Sequence, residues 1–133
     1  MKTKAIAYWI VTTLIALETL AGGVTDLAHG RTMLASGPPV VEVVTQLGYP
    51  VYILVILGVW KLLGGITLLA PRLPRLKEWA YAGIFFELTG AAASQAAHGN
   101  WSEVTAPLFL TALTIASWAL RPRSRTLHRH AAA

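Results

Sequence analysis

The chain contains no cysteine in 133 residues, which removes disulfides, thiolate zinc sites, iron–sulfur clusters, CxxC redox pairs and cysteine nucleophiles together. Charge is scarce as well: 13% of the residues are Asp, Glu, Lys or Arg, against about a quarter in ordinary soluble domains. With 55% hydrophobic residues and a mean hydropathy of +0.56, a chain this short cannot hide its apolar surface in one core and still present a polar exterior. The composition points to lipid as the solvent. Acidic residues are the scarcest, with 6 Asp and Glu against 11 Lys and Arg and a net charge of +5. The basic residues fall between and beyond the apolar stretches rather than along one face, so they read as topology signals and not as a nucleic-acid surface.

What is present in abundance is long apolar sequence. Residues 5–28, 49–70, 76–97 and 103–120 each approach the ~20 apolar residues that cross a ~30 Å hydrocarbon core. The predicted fold class is an all-α integral membrane protein, one domain over residues 1–133 with four transmembrane helices and a basic cytoplasmic tail at 121–133. The breaks are a Gly30–Pro39 segment ending in two prolines, the Pro71-Arg-Leu-Pro-Arg75 turn, and His98-Gly-Asn-Trp-Ser102. Ser102 stands where a side chain would cap the fourth helix. Between the first two spans, Val40, Val43, Val44 and Leu47 share a face, as in a short interfacial helix over Pro39–Gly48; an ordinary loop is the alternative.

Lys2 and Lys4 precede span one, Arg72, Arg75 and Lys77 mark the turn between spans two and three, and Arg121, Arg123, Arg125 and Arg129 follow span four. Arg31 alone lies in a connection on the other side. The positive-inside rule therefore puts both termini and the basic turn in the cytoplasm, with residues 30–48 and 98–102 facing out. The tail reads as an anchor for anionic lipid. The first span resembles a signal peptide in its Met-Lys-Thr-Lys start, but Glu18 inside the apolar run argues against cleavage.

Glu18, Lys61 and Glu87 lie within three different spans, where each charge costs at least ~2.5 kcal/mol at a helix centre. Counted at 1.5 Å per residue from the cytoplasmic ends, all three reach about 15–20 Å deep, so they can meet in one layer. Two carboxylates against one ammonium leave one negative charge unmatched, to be met by a proton or a ligand. These three are the candidate catalytic residues; a structural ion-pair network fixing helix register is the competing explanation. Glu18, Gly22, Thr25, Asp26 and His29 form one stripe of the first helix, and Gly83, Glu87, Gly90, Ala91, Ser94 and His98 form one of the third. Gly58 and Gly65 flank Lys61 and allow close approach of another helix or of a ligand. Asp26, His29 and His98 fall at similar depth near the outer surface, with Arg31, Trp101 and Glu103 close by, as at the mouth of a cavity. Asp26, His29, Ser94 and His98 are accordingly the candidate substrate-binding residues. Their pattern is too sparse for a metal or haem site, and none is assigned. Trp9, Tyr49, Tyr52, Trp79, Tyr81, Trp101 and Trp118 sit near span ends, as interfacial anchors do.

Leu47-Gly-Tyr-Pro50, Leu57-Gly-Val-Trp-Lys-Leu-Leu-Gly64, Pro71, Leu76-Lys-Glu-Trp-Ala-Tyr-Ala-Gly83 and Leu88-Thr-Gly-Ala-Ala-Ala-Ser94 together resemble the DoxX-like family of membrane proteins, over roughly residues 8–120. The resemblance implies a four-helix protein of the bacterial cytoplasmic membrane. The family's namesake is similar to a small subunit of a quinone-linked thiosulfate-oxidising complex, and other relatives look like redox-associated subunits or assembly helpers. Members often carry His after the Ser that ends span three; Gln95 stands there in this chain. The resemblance brings no established catalytic residue. Physically, Pro50 is tolerated in the first turn of span two and Pro71 ends it. Lys77 can reach headgroups, Glu78 suits the helix dipole, and Gly83 and Gly90 permit close packing.

Three functions are compatible with this reading. The first is a membrane subunit that holds a lipophilic molecule such as a quinone between Glu18, Lys61 and Glu87, which handle its protons. The second is a stand-alone intramembrane acid–base enzyme for isomerisation, epoxide opening or cyclisation of a lipophilic substrate. The third is a scaffold without chemistry. The partners implied are the lipid bilayer, a lipophilic small molecule and either a membrane redox partner or a second copy of the chain; nucleic acid is not among them.

Overall fold

Prolines and glycines divide the apolar sequence into helices, and they do so at slightly different places than the hydropathy pattern indicates. The computed structural model describes residues 2–30, 38–122 and 126. Helix α1 is Lys2–Ala28, α2 is Val40–Gln46, α3 is Ile53–Leu69, α4 is Pro74–Ala97 and α5 is Thr105–Ala119. No strand occurs among the described residues. Arg31 and tail residues Arg123, Arg125 and Arg129 lie outside them.

Helix α1 stops where His29 turns into the left-handed region, with φ of 55°, and Gly30 N–H donates back to Thr25 O at 3.2 Å, a left-handed helix stop made without glycine at the turning position. The segment between the first two long helices is helical: α2 follows Pro39, keeps Val40, Val43, Val44 and Leu47 away from the exposed side, and ends before Gly48 at φ 88°. Helix α3 begins later than residue 49. Ile53, Leu54 and Val55 donate to Pro50, Val51 and Tyr52, so the chain enters as a tight turn of three-residue spacing before it relaxes into an α-helix. Helix α4 begins earlier than residue 76, because Pro74 occupies its first turn, where a missing N–H leaves no bond broken.

The predicted cap at Ser102 is not made. Ser102 lies in a short 3₁₀ turn, Trp101–Glu103, and α5 starts after it without a side-chain cap. Glu103 and Val104 N–H donate instead to Asn100 and Trp101 carbonyls, so the backbone of the turn does the work expected of the hydroxyl.

The four long helices close a ring in which α1 packs on α3 and α5, and α4 packs on α3 and α5; α2 rests on α1. The α1–α3 contact is the tightest. A Cβ on Gly58 would stand 2.7 Å from Leu27 Cγ and 3.0 Å from Gly23 O, and one on Gly65 would stand 2.6 Å from Leu20 Cγ. The expectation that Gly58 and Gly65 admit a neighbouring helix therefore holds, and α1 is that helix. Gly83 and Gly90 behave otherwise: a Cβ at either meets nothing within 4 Å, so neither serves helix packing.

The distribution of polarity is the reverse of a soluble protein's. Ile15, Ala16, Leu68, Tyr81 and Ile84 form a small apolar core, yet Thr12, Thr19, Thr25, Asp26, Lys77, Thr111, Thr114 and Ser117 are buried with them. Ile6, Ile10, Leu14, Leu17, Trp60, Leu63, Ile66, Phe86 and Phe109 are on the outside. Such continuous apolar exposure is rare on a soluble monomer. Among the described residues, α1 is long and apolar enough to cross a membrane by itself, and α3, with 17 residues, is a shorter apolar helix.

Candidate functional site

Lys61 lies one turn beyond Gly58 on the α3 face that meets α1, and its side chain passes over Gly22, where no side chain intervenes. The ammonium reaches Asp26 Oδ2 at 2.8 Å and Glu87 Oε1 at 3.0 Å. A Cβ on Gly22 would lie 3.5 Å from Lys61 Nζ and 3.9 Å from Glu18 Oε1, which puts Glu18 in the same neighbourhood. Glu18 itself makes no ion pair among the described residues. The predicted layer of Glu18, Lys61 and Glu87 thus acquires a fourth member, Asp26, which takes the contact with Lys61 that Glu18 was expected to share. Asp26 is also the most enclosed of the set, its side chain 3% exposed against 21% for Lys61 and 24% for Glu87.

This moves Asp26 out of the outer polar layer in which spacing had grouped it with His29 and His98. Depth along separate helices is a poor guide here because a lysine stem spans some 6 Å, about four residues of helix rise. His29 ends α1, and its Nδ1 lies 3.1 Å from Leu27 O. His98 is the exposed C-terminal cap of α4. Neither imidazole bonds the Asp26 carboxylate among the described residues; the His29 backbone N–H donates to the Asp26 carbonyl at 3.2 Å. Ser94 shares a 2.6 Å hydrogen bond with Tyr49, which ties α4 to the chain entering α3. Among the described residues, no group of three or more His, Asp or Glu side chains is arranged to hold a metal ion.

Two basic residues have roles different from those expected. Lys77 is fully buried and donates to the carbonyls of Thr67 and Ala70, so it satisfies the open C-terminal end of α3 instead of reaching lipid headgroups; a cation is well placed there against the helix dipole. Arg121, expected in the lipid-anchoring tail, folds back to pair with Glu78, which also accepts from Trp118 Nε1 at 3.1 Å. Its guanidinium stands 5.3 Å from the ring centres of both Tyr81 and Trp118.

Tyr81 is not an interfacial anchor. It is buried and bonded to Ser117 at 2.7 Å, and Ser117 shares a 2.6 Å bond with Thr12. This hydroxyl chain joins α4, α5 and α1, with Tyr8 buried on the same α1 face. The signal was in the sequence: Tyr8, Thr12, Ile15 and Thr19 follow helical spacing, as do Thr111, Thr114 and Ser117.

A cavity of about 540 Å³ lies between α3 and α4, within the range typical of small-molecule sites. Lys61 and Glu87 contribute its charge; Leu57, Trp60, Leu63, Leu76, Trp79 and Ile84 make it predominantly apolar, and Gly64 and Gly83 widen it. Trp60 and Gly64 stand in the Leu57–Gly64 stretch that carries the family resemblance but were given no site role from sequence, although both sit one helical turn or less from Lys61.

The profile of the DoxX-like family matches residues 10–117, the stretch that contains α3 and α4 whole and most of α1 and α5. The chain belongs to the DoxX-like family. The family assignment agrees with the inverted polarity of the bundle and makes this DoxX-like chain a small helical membrane protein. No curated protein and no solved structure matches it significantly.

Proposed function

We propose that this DoxX-like protein is a four-span subunit of the bacterial cytoplasmic membrane, with both termini inside, that binds a lipophilic, quinone-like molecule at Lys61 and Glu87. The observation that carries the reading is the coincidence of a buried ion-pair cluster with an apolar cavity. Charges within a bilayer interior are expensive and are retained mainly where they act on a ligand, an ion or a proton. Lys61 has three donors, of which Asp26 and Glu87 engage two, leaving one for a carbonyl oxygen. Reduction of a quinone takes up two electrons and two protons. In this reading the electrons come from a membrane redox partner, and the carboxyls of Glu87, Asp26 and Glu18 supply and reload protons.

The four-span arrangement is supported by helix lengths. At 1.5 Å per residue, α1 and α4 are roughly 40 and 36 Å long, and α3 and α5 roughly 26 and 22 Å before their entering turns are added; a hydrocarbon core is ~30 Å thick. Buried threonines and exposed leucines, isoleucines and phenylalanines match that setting.

A second reading, an intramembrane acid–base enzyme, is favoured by one difference within the cluster. Glu87 lines the cavity while Asp26 stands behind the ammonium, so two carboxyls meet a substrate with unequal access, as a general acid and its supporting base do. The test is binding of a short-tailed benzoquinone to the purified protein in nanodiscs, followed by tryptophan quenching. Saturable binding that weakens at least about tenfold in Glu87→Gln supports the first reading. Absence of saturable binding overturns it.

A further inference from the structure

Two glycines of α3 and α4 have no role in the packing of this chain. Gly83 has open space around its Cβ position, and the nearest atom to a Cβ on Gly64 is Ile84 Cδ1 at 4.0 Å. Both lie inside helices, where glycine is less favourable than alanine, and neither has the positive φ that would require it. Gly58 and Gly65, by contrast, are held by the approach of α1. The common property of Gly64 and Gly83 is that both line the cavity that contains Lys61 and Glu87. Their missing side chains keep open a slot flanked by Trp60 and Trp79.

The charge around Lys61 and Glu87 limits what can lie there. One ammonium faces the carboxyls of Asp26 and Glu87 directly, with Glu18 nearby. An anionic head would add negative charge to a region already rich in acid and largely buried, where repulsion is less screened than at an exposed surface. A neutral oxygen can accept the remaining Lys61 proton without that penalty.

We infer that the α3–α4 groove takes a single-tailed lipophile with a neutral, oxygen-bearing head, the head on Lys61 and the tail passing Gly83 and Gly64 between Trp60 and Trp79, and that it refuses anionic amphiphiles. This rests on Lys61 and Glu87 being a ligand site. It adds the ligand's charge, the path of its tail and two specificity-determining glycines.

The experiment uses the full chain in nanodiscs, with a ten-carbon-tailed benzoquinone as probe and tryptophan fluorescence as readout. Oleyl alcohol and oleate serve as competitors of equal tail length. Oleyl alcohol is expected to displace the probe and oleate to fail at the same membrane concentration. Gly83→Leu, which has open space for its side chain, is expected to weaken the probe at least about tenfold, or ~1.4 kcal/mol, with an unchanged melting temperature; Gly83→Ala is expected to have a smaller effect. Equal competition by oleate, measured on the native chain, overturns the charge rule. Probe binding that is abolished in Glu87→Gln but untouched in Gly83→Leu overturns the tail path while leaving the ligand site standing. Absence of saturable binding to the native chain overturns the site itself and the inference with it.

Discussion

Asp26, near the end of α1, and Lys61, near the middle of α3, form a 2.8 Å ion pair in which the carboxylate is almost completely enclosed. The pair binds the two most closely packed helices and presents the ammonium to Glu87 on a third. Removing one partner of such a pair strands the other's charge, whereas removing both leaves only the more accessible carboxyls of Glu87 and Glu18 without the ammonium.

Lys61→Met is therefore expected to destabilise the protein by about 3–5 kcal/mol, and adding Asp26→Asn to restore much of that loss. Glu87→Gln, at the more accessible carboxyl, is expected to restore less. The measurement is a double-mutant cycle on unfolding in mixed micelles. Additive effects would show that the residues do not interact.

The α1–α3 seam depends on absent side chains. Gly65→Ala forces a Cβ against Leu20 Cγ and is expected to cost about 1–3 kcal/mol, partly relieved when combined with Leu20→Ala. Gly90→Ala meets no neighbour and is expected to be neutral or to stabilise by up to about 1 kcal/mol through helix propensity. Thermal melts of the three variants compare the two sites directly; equal losses at Gly65 and Gly90 would contradict the packing described.

Lys77 and Arg75 stand two residues apart in the first turns of α4 but differ completely in setting, one buried on the α3 carbonyls and one exposed. Lys77→Met is expected to lower stability by about 1.5–3 kcal/mol, as for loss of hydrogen bonds from a charged donor, and to speed amide exchange near the end of α3. Arg75→Met is expected to stay within about 0.5 kcal/mol. A headgroup-binding Lys77 would instead give two similar, small effects.

Topology is open to a background-free test because the chain has no cysteine. Asn100→Cys, in the connection between α4 and α5, is expected to react with an impermeant thiol reagent in intact cells. Leu73→Cys, in the basic turn, is expected to react only after the membrane is opened. The opposite pattern would invert the proposed orientation.

The fold was largely legible because its signals are local. Apolar runs, Pro39, Pro71 and Pro74 act within a few residues of where they stand, so the order of the four long helices follows from sequence alone, while α2 was left open between helix and loop. Boundaries shifted where the backbone had a choice the side chains do not announce, as at Pro50, whose carbonyl starts a tight turn, and at Ser102, whose capping role the backbone itself fills.

The sequence by itself determined that Glu18, Lys61 and Glu87 are charges in apolar helices, and hence that something must compensate them, because transfer free energy depends on residue type and segment alone. Which carboxyl compensates Lys61 was decided by tertiary structure. The glycine seam sets the offset of α1 against α3, and the lysine stem then reaches Asp26 instead of Glu18. The same distinction separates the glycines: Gly58 and Gly83 are alike in composition, and only the neighbouring helix tells that one is filled by Leu27 and the other opens a cavity. Burial of Lys77 and Tyr81 likewise depends on contacts that no helical periodicity within a single segment contains.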